Sequence, residues 1–390
     1  MLPESTVNPP PLLGHSEDCL RPAWQLRRVG TGFDRFTGIG ETSLIMIHAS
    51  APGRAGIIGN PADIYGGSVI SCAVAARAEV FIQDADGQIF DICGHITQIQ
   101  GPEDLEFGDP LPYLDIAKCV WQYLTGDDQR YMQGIEINPQ LGFHLRADTT
   151  IPMQAGCAGS TAMLAAILAG LLAHSEIRRS RHHMAEMARH IERVQLGVDC
   201  GFQDQYMAAF GGLNYVDCRD KAWGWERDDA PHAIVEPLAA ATDHSTVLPF
   251  VVANTGKRQG TSGTYHGPPR QRWEAGEQAM VKGMARLGHL AQLGKEALLA
   301  QDWASLGEMM NENYAICAEL FGISEVNENL IKAVLRHGAL GAKLAGAGGG
   351  GTIIALHTDP KYLARKLQEH DIKRIIPLDP HQPGLDIEVY

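Results

Sequence analysis

A charge-free run from Thr149 to Ser175 constrains the fold of this chain more than any other feature of its sequence. A loop of small residues, Gln154–Ala162, opens the run, and an apolar stretch, Met163–Ala173, follows that loop. The apolar stretch is far shorter than the ~20 residues that a membrane-spanning helix needs. It therefore predicts a helix buried in a protein core, with the small-residue loop at its N-terminus.

Composition limits the fold and the partners that the chain can take. Its 390 residues suffice for two or three domains, and 45% hydrophobic with 20% charged residues is typical of a globular protein. The net charge of −14 disfavours a broad surface for nucleic acid or anionic membrane, but it allows a small anionic substrate in a local cationic pocket. Eight scattered cysteines without a CxxC pair, and no N-terminal secretion signal, favour the cytoplasm.

Strand and helix patterns alternate in both halves of the chain, which predicts an α/β or α+β protein of two lobes. In the first half we expect helices at 114–124 and 184–194, and strands at 44–48, 69–82, 88–92 and 135–145, with the second and third of these strands joined as a hairpin. In the second half we expect strands at 213–216, 248–252, 352–356 and 372–378, and helices from near 270, 305, 325 and 361. A polar segment at 219–231 predicts the junction between a first domain at 44–230 and a second at 231–390, after an extension at 1–43.

The first of three glycine-rich segments runs from Pro52 to Gly67. Its glycines allow a ligand to approach the backbone closely. It also carries a cation, Arg54, an amide, Asn60, and a carboxylate, Asp63. This mixture suits a ligand with several hydroxyl groups and a developing negative charge, although a plain loop between two strands would look similar.

The second glycine-rich segment, Gln154–Ala162, precedes the apolar helix. The N-terminus of a helix presents free N–H groups and the positive end of its dipole, which together favour an anion. Ser160 and Thr161 can cap this helix or offer a hydroxyl to Mg²⁺, and a simple cap on a core helix is the plainer reading of the same residues. The third segment, Gly346–Gly351, follows a helix-like segment and precedes a strand, the reverse of a dinucleotide-binding fingerprint.

Two acidic residues, Glu192 and Asp204, lie in and after the second predicted helix. Phosphoryl transfer needs bound phosphates, a placed Mg²⁺, an oriented hydroxyl and a group that accepts its proton. Ser160, Thr161 and Glu192 are therefore candidate metal ligands, and Asp204 is the candidate base. A lone acidic residue is more often a solvated charge, so only the combination indicates a kinase.

In this order, the three glycine-rich segments and the acidic pair resemble the signature motifs of the GHMP kinases, over about residues 44–356. The resemblance implies an α+β fold of two lobes, with an N-terminal βαβ domain like that of ribosomal proteins and a ferredoxin-like C-terminal domain. It places the active site in the cleft between them. It also implies ATP and Mg²⁺ as cofactors and a sugar as the substrate. The oligomeric state that it implies is a monomer or a homodimer.

Carried over residue by residue, the resemblance implies three groups of site residues. Asp204 matches the catalytic aspartate, and Arg54 matches the cation that stabilises charge on the transferring phosphoryl group. The implied ATP-binding positions are Gly156, Cys157, Ala158, Gly159, Ser160, Thr161, Gly348 and Gly349, with the metal on Ser160, Thr161 and Glu192. The implied substrate-binding positions are Asn60, Asp63, Tyr65, Gly66, Gly67, Gln203 and Arg270.

Departures from the common motifs point to more than one candidate substrate. Asn60–Pro61 stands in place of the usual Glu-His, and Cys157–Ala158 lengthens the phosphate loop, two features similar to glucuronokinase. That resemblance implies the anomeric hydroxyl of a uronic acid as acceptor. The segment 191–214 is instead more similar to the heptose-phosphate kinases. A kinase of a mevalonate-like acid, or a non-catalytic sugar sensor, would also carry such motifs.

A basic cluster offers one means of recognising an acidic sugar. It comprises Lys257, Arg258, Arg270 and Arg272, with His266 beside them. Cations concentrated before a helix in an acidic protein could clamp an anionic group. A solvated surface loop would have the same composition.

Overall fold

The computed structural model describes residues 27–28, 46–108, 112–128, 130–152, 155–219, 221, 231–238, 248–256, 262–346, 351–370 and 372–390. Within these ranges the chain forms two β-sheets covered by helices, so the predicted α+β class is confirmed. None of the helices in the described ranges combines the length and the apolar character needed to cross a membrane.

The described strands and helices follow in chain order. The strands are β1 (Arg27–Arg28), β2 (Met46–Ile58), β3 (Ser68–Asp84), β4 (Gln88–Ile92), β5 (His95–Ile99), β6 (Phe143–Thr149), β7 (Leu213–Asp217), β8 (Ile234–Pro237), β9 (Phe250–Asn254), β10 (Gly341–Leu344), β11 (Thr352–Leu356), β12 (Arg374–Ile376) and β13 (Asp386–Val389). The helices are α1 (Pro112–Thr125), α2 (Gly159–His174), α3 (Arg181–His190), α4 (Gln203–Phe210), α5 (Ser262–Glu274), α6 (Gln278–Leu299), α7 (Trp303–Phe321), α8 (Glu325–Arg336) and α9 (Pro360–Leu367).

The larger sheet has nine described strands in the order β1-β13-β2-β3-β6-β4-β5, and β7 and β8 extend it from β3. The helix α2 lies on β2 and β3 and is buried on every side from Thr161 to Leu172. Its sequence has no polar face because no side of the helix reaches solvent. The buried helix predicted from the charge-free run is therefore confirmed.

The predicted hairpin between 69–82 and 88–92 is wrong. The strand β6 lies between β3 and β4, antiparallel to the first and parallel to the second. The partner of β4 in a hairpin is β5, joined to it by Cys93 and Gly94, which both have positive φ. Such two-residue turns match the twist of a hairpin. The three-residue link after β3 instead leads the chain past the position of β6 to β4.

The smaller sheet has four described strands, all antiparallel, in the order β10-β11-β9-β12. Its elements run strand, helices, strand, strand, helix, strand, and this order of elements with this strand order is the ferredoxin-like arrangement. The predicted ferredoxin-like C-terminal fold is therefore confirmed. Two strands from beyond residue 230, β8 and β13, nevertheless pair within the larger sheet.

Several predicted boundaries differ from the structure. The strand expected at 135–145 begins only at Phe143, and the helix expected from near Arg270 begins at Ser262. Val194, predicted on the apolar side of its helix, is 47% exposed because a π-helical turn at Ile191–Gln195 shifts the periodicity. The helix-like segment predicted before the third glycine-rich segment is present as α8, but it ends at Arg336 and the strand β10 lies between it and that segment.

Candidate active site

Arg54 joins two parts of the chain that the sequence motifs assign to one site. Its Nε and Nη2 lie 2.8 and 2.6 Å from Oδ1 of Asp204, and its Nη1 donates to the carbonyl of Gly156 at 2.6 Å. Asp204 therefore lies beside the small-residue loop, as a kinase site requires. The Asp204 side chain is 31% exposed, and Arg54 is almost fully buried.

A bulge in β2 sets the position of Arg54. The register of β2 against β3 shifts between Pro52 and Arg54. A Cβ atom on Gly53 would lie 2.6 Å from the carbonyl oxygen of Cys157, so only glycine lets the loop approach this closely. The Arg54 amide then donates to the same carbonyl at 3.0 Å. The first glycine-rich segment is thus strand, not loop, from Pro52 to Ile58.

The second glycine-rich segment forms a concave turn at the N-terminus of α2. Gly156 and Ala158 both have left-handed φ values, 75° and 57°. Successive N–H groups in such turns point into one concavity that suits an anion. No side chain caps α2, because its N-cap residue is Ala158. The N–H groups of the first helical turn are therefore left for a ligand.

Glu192 lies buried behind this loop. The Thr161 hydroxyl donates to the Glu192 carboxylate at 3.0 and 3.2 Å, and Gln205 Nε2 donates to Oε2 at 2.7 Å. Burial, and next the charge of Asp204, raise the pKa of Glu192 to about 7. The π-helical turn, a feature frequent at functional sites, carries this residue.

The helix α4, which carries Asp204, is positioned by a carboxylate from the first glycine-rich segment. Oδ2 of Asp63 accepts the backbone N–H groups of Phe202 and Gln203 at 2.9 and 3.0 Å. Asp63 is 4% exposed. This predicted substrate-binding residue thus has contacts that orient the helix of the candidate base.

The third glycine-rich segment meets the second. A Cβ on Gly346 would lie 2.5 Å from the carbonyl oxygen of Gly156, so the two backbones are in direct contact. The Thr352 hydroxyl donates to the carbonyl of Ala155 in the same region. The predicted ATP-binding residues Gly348 and Gly349 lie outside the described residues.

The other predicted substrate-binding residues spread along the first glycine-rich segment and beyond it. Gln203 Nε2 donates to Ser71 Oγ at 2.5 Å. The Tyr65 ring lies 5.4 Å from that of Trp273, and burial raises the pKa of Tyr65. Gly66 and Gly67 form the turn into β3, which packs against α6.

The charges of the basic cluster are neutralised where the structure describes them. Arg270 contacts Asp199 and Glu274, each at 2.8 Å, and Arg272 contacts Glu277 at 2.6 Å. Lys257, Arg258 and the side chain of His266 lie outside the described part of the structure. Arg270 is therefore an ion-paired side chain in the protein without ligand.

Two further residues of the site do not stand out in the sequence. Gln205 follows the candidate base, and its buried Oε1 has no hydrogen-bond partner within the described chain. Lys343 is 2% exposed, and its Nζ lies 2.6 Å from Oδ1 of Asn60. The only signals in the sequence are a glutamine beside Asp204 and a lysine just before the third glycine-rich segment.

A helix N-terminus without a side-chain cap, an arginine on a carboxylate and a second buried carboxylate lie together here, as a small-molecule kinase requires. The family pattern "GHMP kinases N terminal domain" matches residues 116–212, and the pattern "GHMP kinases C terminal" matches residues 295–373. The chain belongs to the GHMP kinase family and is therefore a phosphotransferase that acts on an alcohol group.

Several characterised proteins are similar to this chain over most of their length. Glucuronokinase 1 of Arabidopsis thaliana is 28% identical over 333 residues, which cover 80% of this chain and 86% of that protein. The D-glycero-alpha-D-manno-heptose 7-phosphate kinase of Campylobacter jejuni is 25% identical over 321 residues, which cover 78% of this chain and 87% of that one. Galactokinase of Lactococcus lactis, solved with galactose, has the same fold, with a TM-score of 0.68 at 17% identity, over 88% of this chain and 94% of that chain.

Proposed function

We propose that this protein transfers the γ-phosphoryl group of ATP to a hydroxyl group of a sugar, in a reaction that requires Mg²⁺. The observation that carries the proposal is the position of Arg54, which contacts both Asp204 and the carbonyl of Gly156. One arginine therefore lies between the candidate base and the loop that would hold the phosphates. The seven described cysteines are all free, which supports a reducing compartment such as the cytoplasm.

The phosphates of ATP would bind in the concave turn from Gly156 to Thr161, which we call the phosphate turn. The unpaired N–H groups of the first turn of α2 would donate to phosphate oxygens, and the helix dipole would favour their charge. The Cys157 thiol has no chemical role in this scheme, because burial raises its pKa to about 11. The contact between Gly346 and Gly156 would hold the turn in shape.

The residues behind the turn fit a magnesium ion. Thr161 Oγ1, the Glu192 carboxylate and the unpartnered Oε1 of Gln205 lie together, and Mg²⁺ prefers such oxygen ligands. Ser160 is exposed at the mouth of the turn and offers a further hydroxyl. The described ranges hold no group of three or more His, Cys, Asp or Glu suited to a metal, so the nucleotide would complete the coordination. When bound, the ion would neutralise charge on the β- and γ-phosphates.

Asp204 would accept the proton of the acceptor hydroxyl. Both Arg54 nitrogens contact Oδ1 of Asp204, so Oδ2 remains for the substrate at a partly exposed position. The Arg54 guanidinium would then hold the carboxylate in place and stabilise negative charge on the transferring group. Asp63 would hold α4, and with it Asp204, in position beside the turn.

A uronic acid, phosphorylated at its anomeric hydroxyl, is the acceptor that we favour. The similarity to glucuronokinase supports it, as do Asn60–Pro61 and the lengthened phosphate loop. An anomeric hydroxyl is more acidic than most alcohols, so modest help from Asp204 would suffice. A heptose phosphate is the second candidate, supported by the similarity to the Campylobacter jejuni enzyme and by the segment 191–214.

The decisive experiment measures ADP release with ATP, Mg²⁺ and a panel of uronic acids, hexoses, heptose phosphates and mevalonate. We expect turnover with a uronic acid, and phosphorus NMR of the product identifies the hydroxyl that carries the phosphate. Turnover with a heptose phosphate alone would favour the second candidate. Sugar binding without ADP release from any acceptor would instead identify a non-catalytic sensor.

A further inference from the structure

A cleft adjoins the candidate active site, between the turn at Asn60–Pro61, one face of α7 and the strand β10. Its walls include Tyr314, Cys317 and Phe321, and Lys343 lies at its inner end. Gly346, which contacts the phosphate turn, also lines the cleft. The cleft therefore lies beside the turn that would hold the phosphates.

The Lys343 amine is buried among neutral oxygens. Its Nζ donates to Asn60 Oδ1 at 2.6 Å, to the carbonyl of Leu344 at 2.7 Å and to that of Gly56 at 3.3 Å. No carboxylate of the described residues forms an ion pair with it, whereas the buried Lys221 pairs with Glu186 and Arg54 pairs with Asp204. A buried ammonium without an opposite charge is costly, and a ligand can supply that charge.

The surroundings of Lys343 disfavour its charged form. Burial lowers the pKa of this lysine to about 7, and the positive charge of Arg54 on β2 acts in the same direction. The Cys317 thiol of α7 is the other titratable group that faces it, and burial raises its pKa to about 11. The thiol is therefore neutral at physiological pH and supplies no opposite charge to the ammonium.

The wall of the cleft and the helix of the candidate base, α4, meet at Gly56. A Cβ on Gly56 would lie 2.7 Å from Asn60 Oδ1 and 2.9 Å from Gln203 Nε2. The amide that holds Lys343 and the side chain that precedes Asp204 thus meet at one backbone position. A sugar whose hydroxyl faces Asp204 can place its opposite end towards Lys343.

We infer that Lys343 is the residue that selects an acidic acceptor, and that the cleft binds the carboxylate of the sugar. This inference rests on the proposed function, because it names the group by which the acceptor is recognised. It replaces Arg270 in that role, because Arg270 already contacts two carboxylates at its own position, near Tyr65. A carboxylate in the cleft would give the Lys343 ammonium the opposite charge that the protein does not provide.

The test compares equilibrium binding of glucuronate and of glucose by calorimetry, with ADP release measured in parallel. In Lys343→Met we expect glucuronate to bind about 30-fold more weakly, the lower end of the loss when one member of a buried charge pair is removed. Glucose binding should change by less than about threefold. Arg270→Gln is the matched control, and its ratio of the two affinities should stay within about twofold of the wild type.

A second variant retains the lysine and places the opposite charge beside it on the protein. In Asn60→Asp the new carboxylate would face Nζ at the position of the amide oxygen, so the preference for glucuronate over glucose should disappear. This variant does not require a methionine to pack in place of Lys343. Thermal unfolding confirms that both variants fold.

The inference would be overturned if Lys343→Met weakened the binding of both sugars equally, or weakened neither. It would also be overturned if the wild type preferred a sugar phosphate or bound both sugars equally. Turnover of a neutral sugar would in that last case leave the proposed kinase function intact. If the wild type instead releases no ADP from any acceptor, the kinase function fails, and the binding ratios still decide the role of Lys343.

Discussion

Arg54 contacts Asp204 through two nitrogens on a single oxygen, Oδ1, at 2.8 and 2.6 Å. The two residues are 150 positions apart in the chain. The same guanidinium donates to Gly156, so its planar fork spans the carboxylate and the phosphate turn together. Both contacts fall on Oδ1, so the second oxygen of the partly exposed Asp204 remains for an acceptor, as the first two predictions assume.

Replacing Asp204 by Asn should remove the proton acceptor and keep the shape of the site. We expect kcat to fall about 1,000-fold, within the range that general-base catalysis contributes. The dissociation constant of ATP should stay within about threefold, because the phosphate turn is unchanged. Steady-state ADP release and nucleotide titration measure the two quantities. A variant with wild-type turnover would exclude Asp204 as the base.

Replacing Arg54 by Lys keeps the positive charge but removes the planar guanidinium group and its several N–H donors. A single ammonium cannot contact Asp204 and the carbonyl of Gly156 with the same geometry. We expect kcat to fall about 100-fold, comparable to the loss of one preorganised donor in a transition state. The KM for the sugar should change little. An unaltered kcat would show that charge alone suffices at this position.

Replacing Gly346 by Ala should separate the two glycine-rich segments. The new Cβ would lie 2.5 Å from the backbone oxygen of Gly156, which cannot move without distorting the phosphate turn. We expect ATP to bind about tenfold more weakly, as titration of the nucleotide measures. Gly170→Ala is the control, since its Cβ would meet side chains and no backbone, the nearest being the end of Ile82 at 2.9 Å. Equal effects of the two variants on ATP binding would contradict the contact between the segments.

The buried carboxylate of Glu192 predicts a dependence of stability on pH. Its pKa is raised from 4.5 to about 7 by folding, so the folded protein binds the proton more tightly than the unfolded chain. The stability that this proton contributes is complete below pH 4.5 and is lost as the pH rises through about 7. Glu192→Gln remains neutral throughout and has no such loss.

The free energy of unfolding of Glu192→Gln, relative to the wild type, should therefore rise by about 2 kcal/mol between pH 5 and pH 8. Urea unfolding at both pH values measures this difference. Glu296→Gln, at an exposed position, is the control and should show no such trend. A difference between Glu192→Gln and the wild type that does not vary with pH would contradict the raised pKa.

Local patterns in the sequence predicted the elements that depend on neighbouring residues. The apolar run after Met163 has no polar face, which indicates a helix enclosed by other elements, and α2 is one. The strand at Thr352–Leu356 and the division into two lobes of α+β type followed from the same kind of periodicity. The second glycine-rich segment also predicted the N-terminus of that helix, but Ser160 and Thr161, which could have capped it, lie within its first turn and do not.

Pairings between distant segments were not visible in the sequence. A turn-like link after β3 indicated a hairpin, but β6, which starts some 60 residues later, lies between β3 and β4. Almost any residue can form backbone hydrogen bonds, so local sequence does not show which strands pair. The neighbour of each strand depends on the packing of the whole sheet. The π-helical turn that exposes Val194 and buries Glu192 is a similar case.

The sequence by itself determined the family, the small-residue turn before a buried helix and the chemical types of the candidate site residues, because these depend on residue identity and short spacing. Only the tertiary structure decided which charges are balanced. Arg270 is paired with Asp199 and Glu274, whereas Lys343 is enclosed with neutral oxygens alone. Burial and the distance to an opposite charge set the cost of an ion, and both arise only when remote parts of the chain come together.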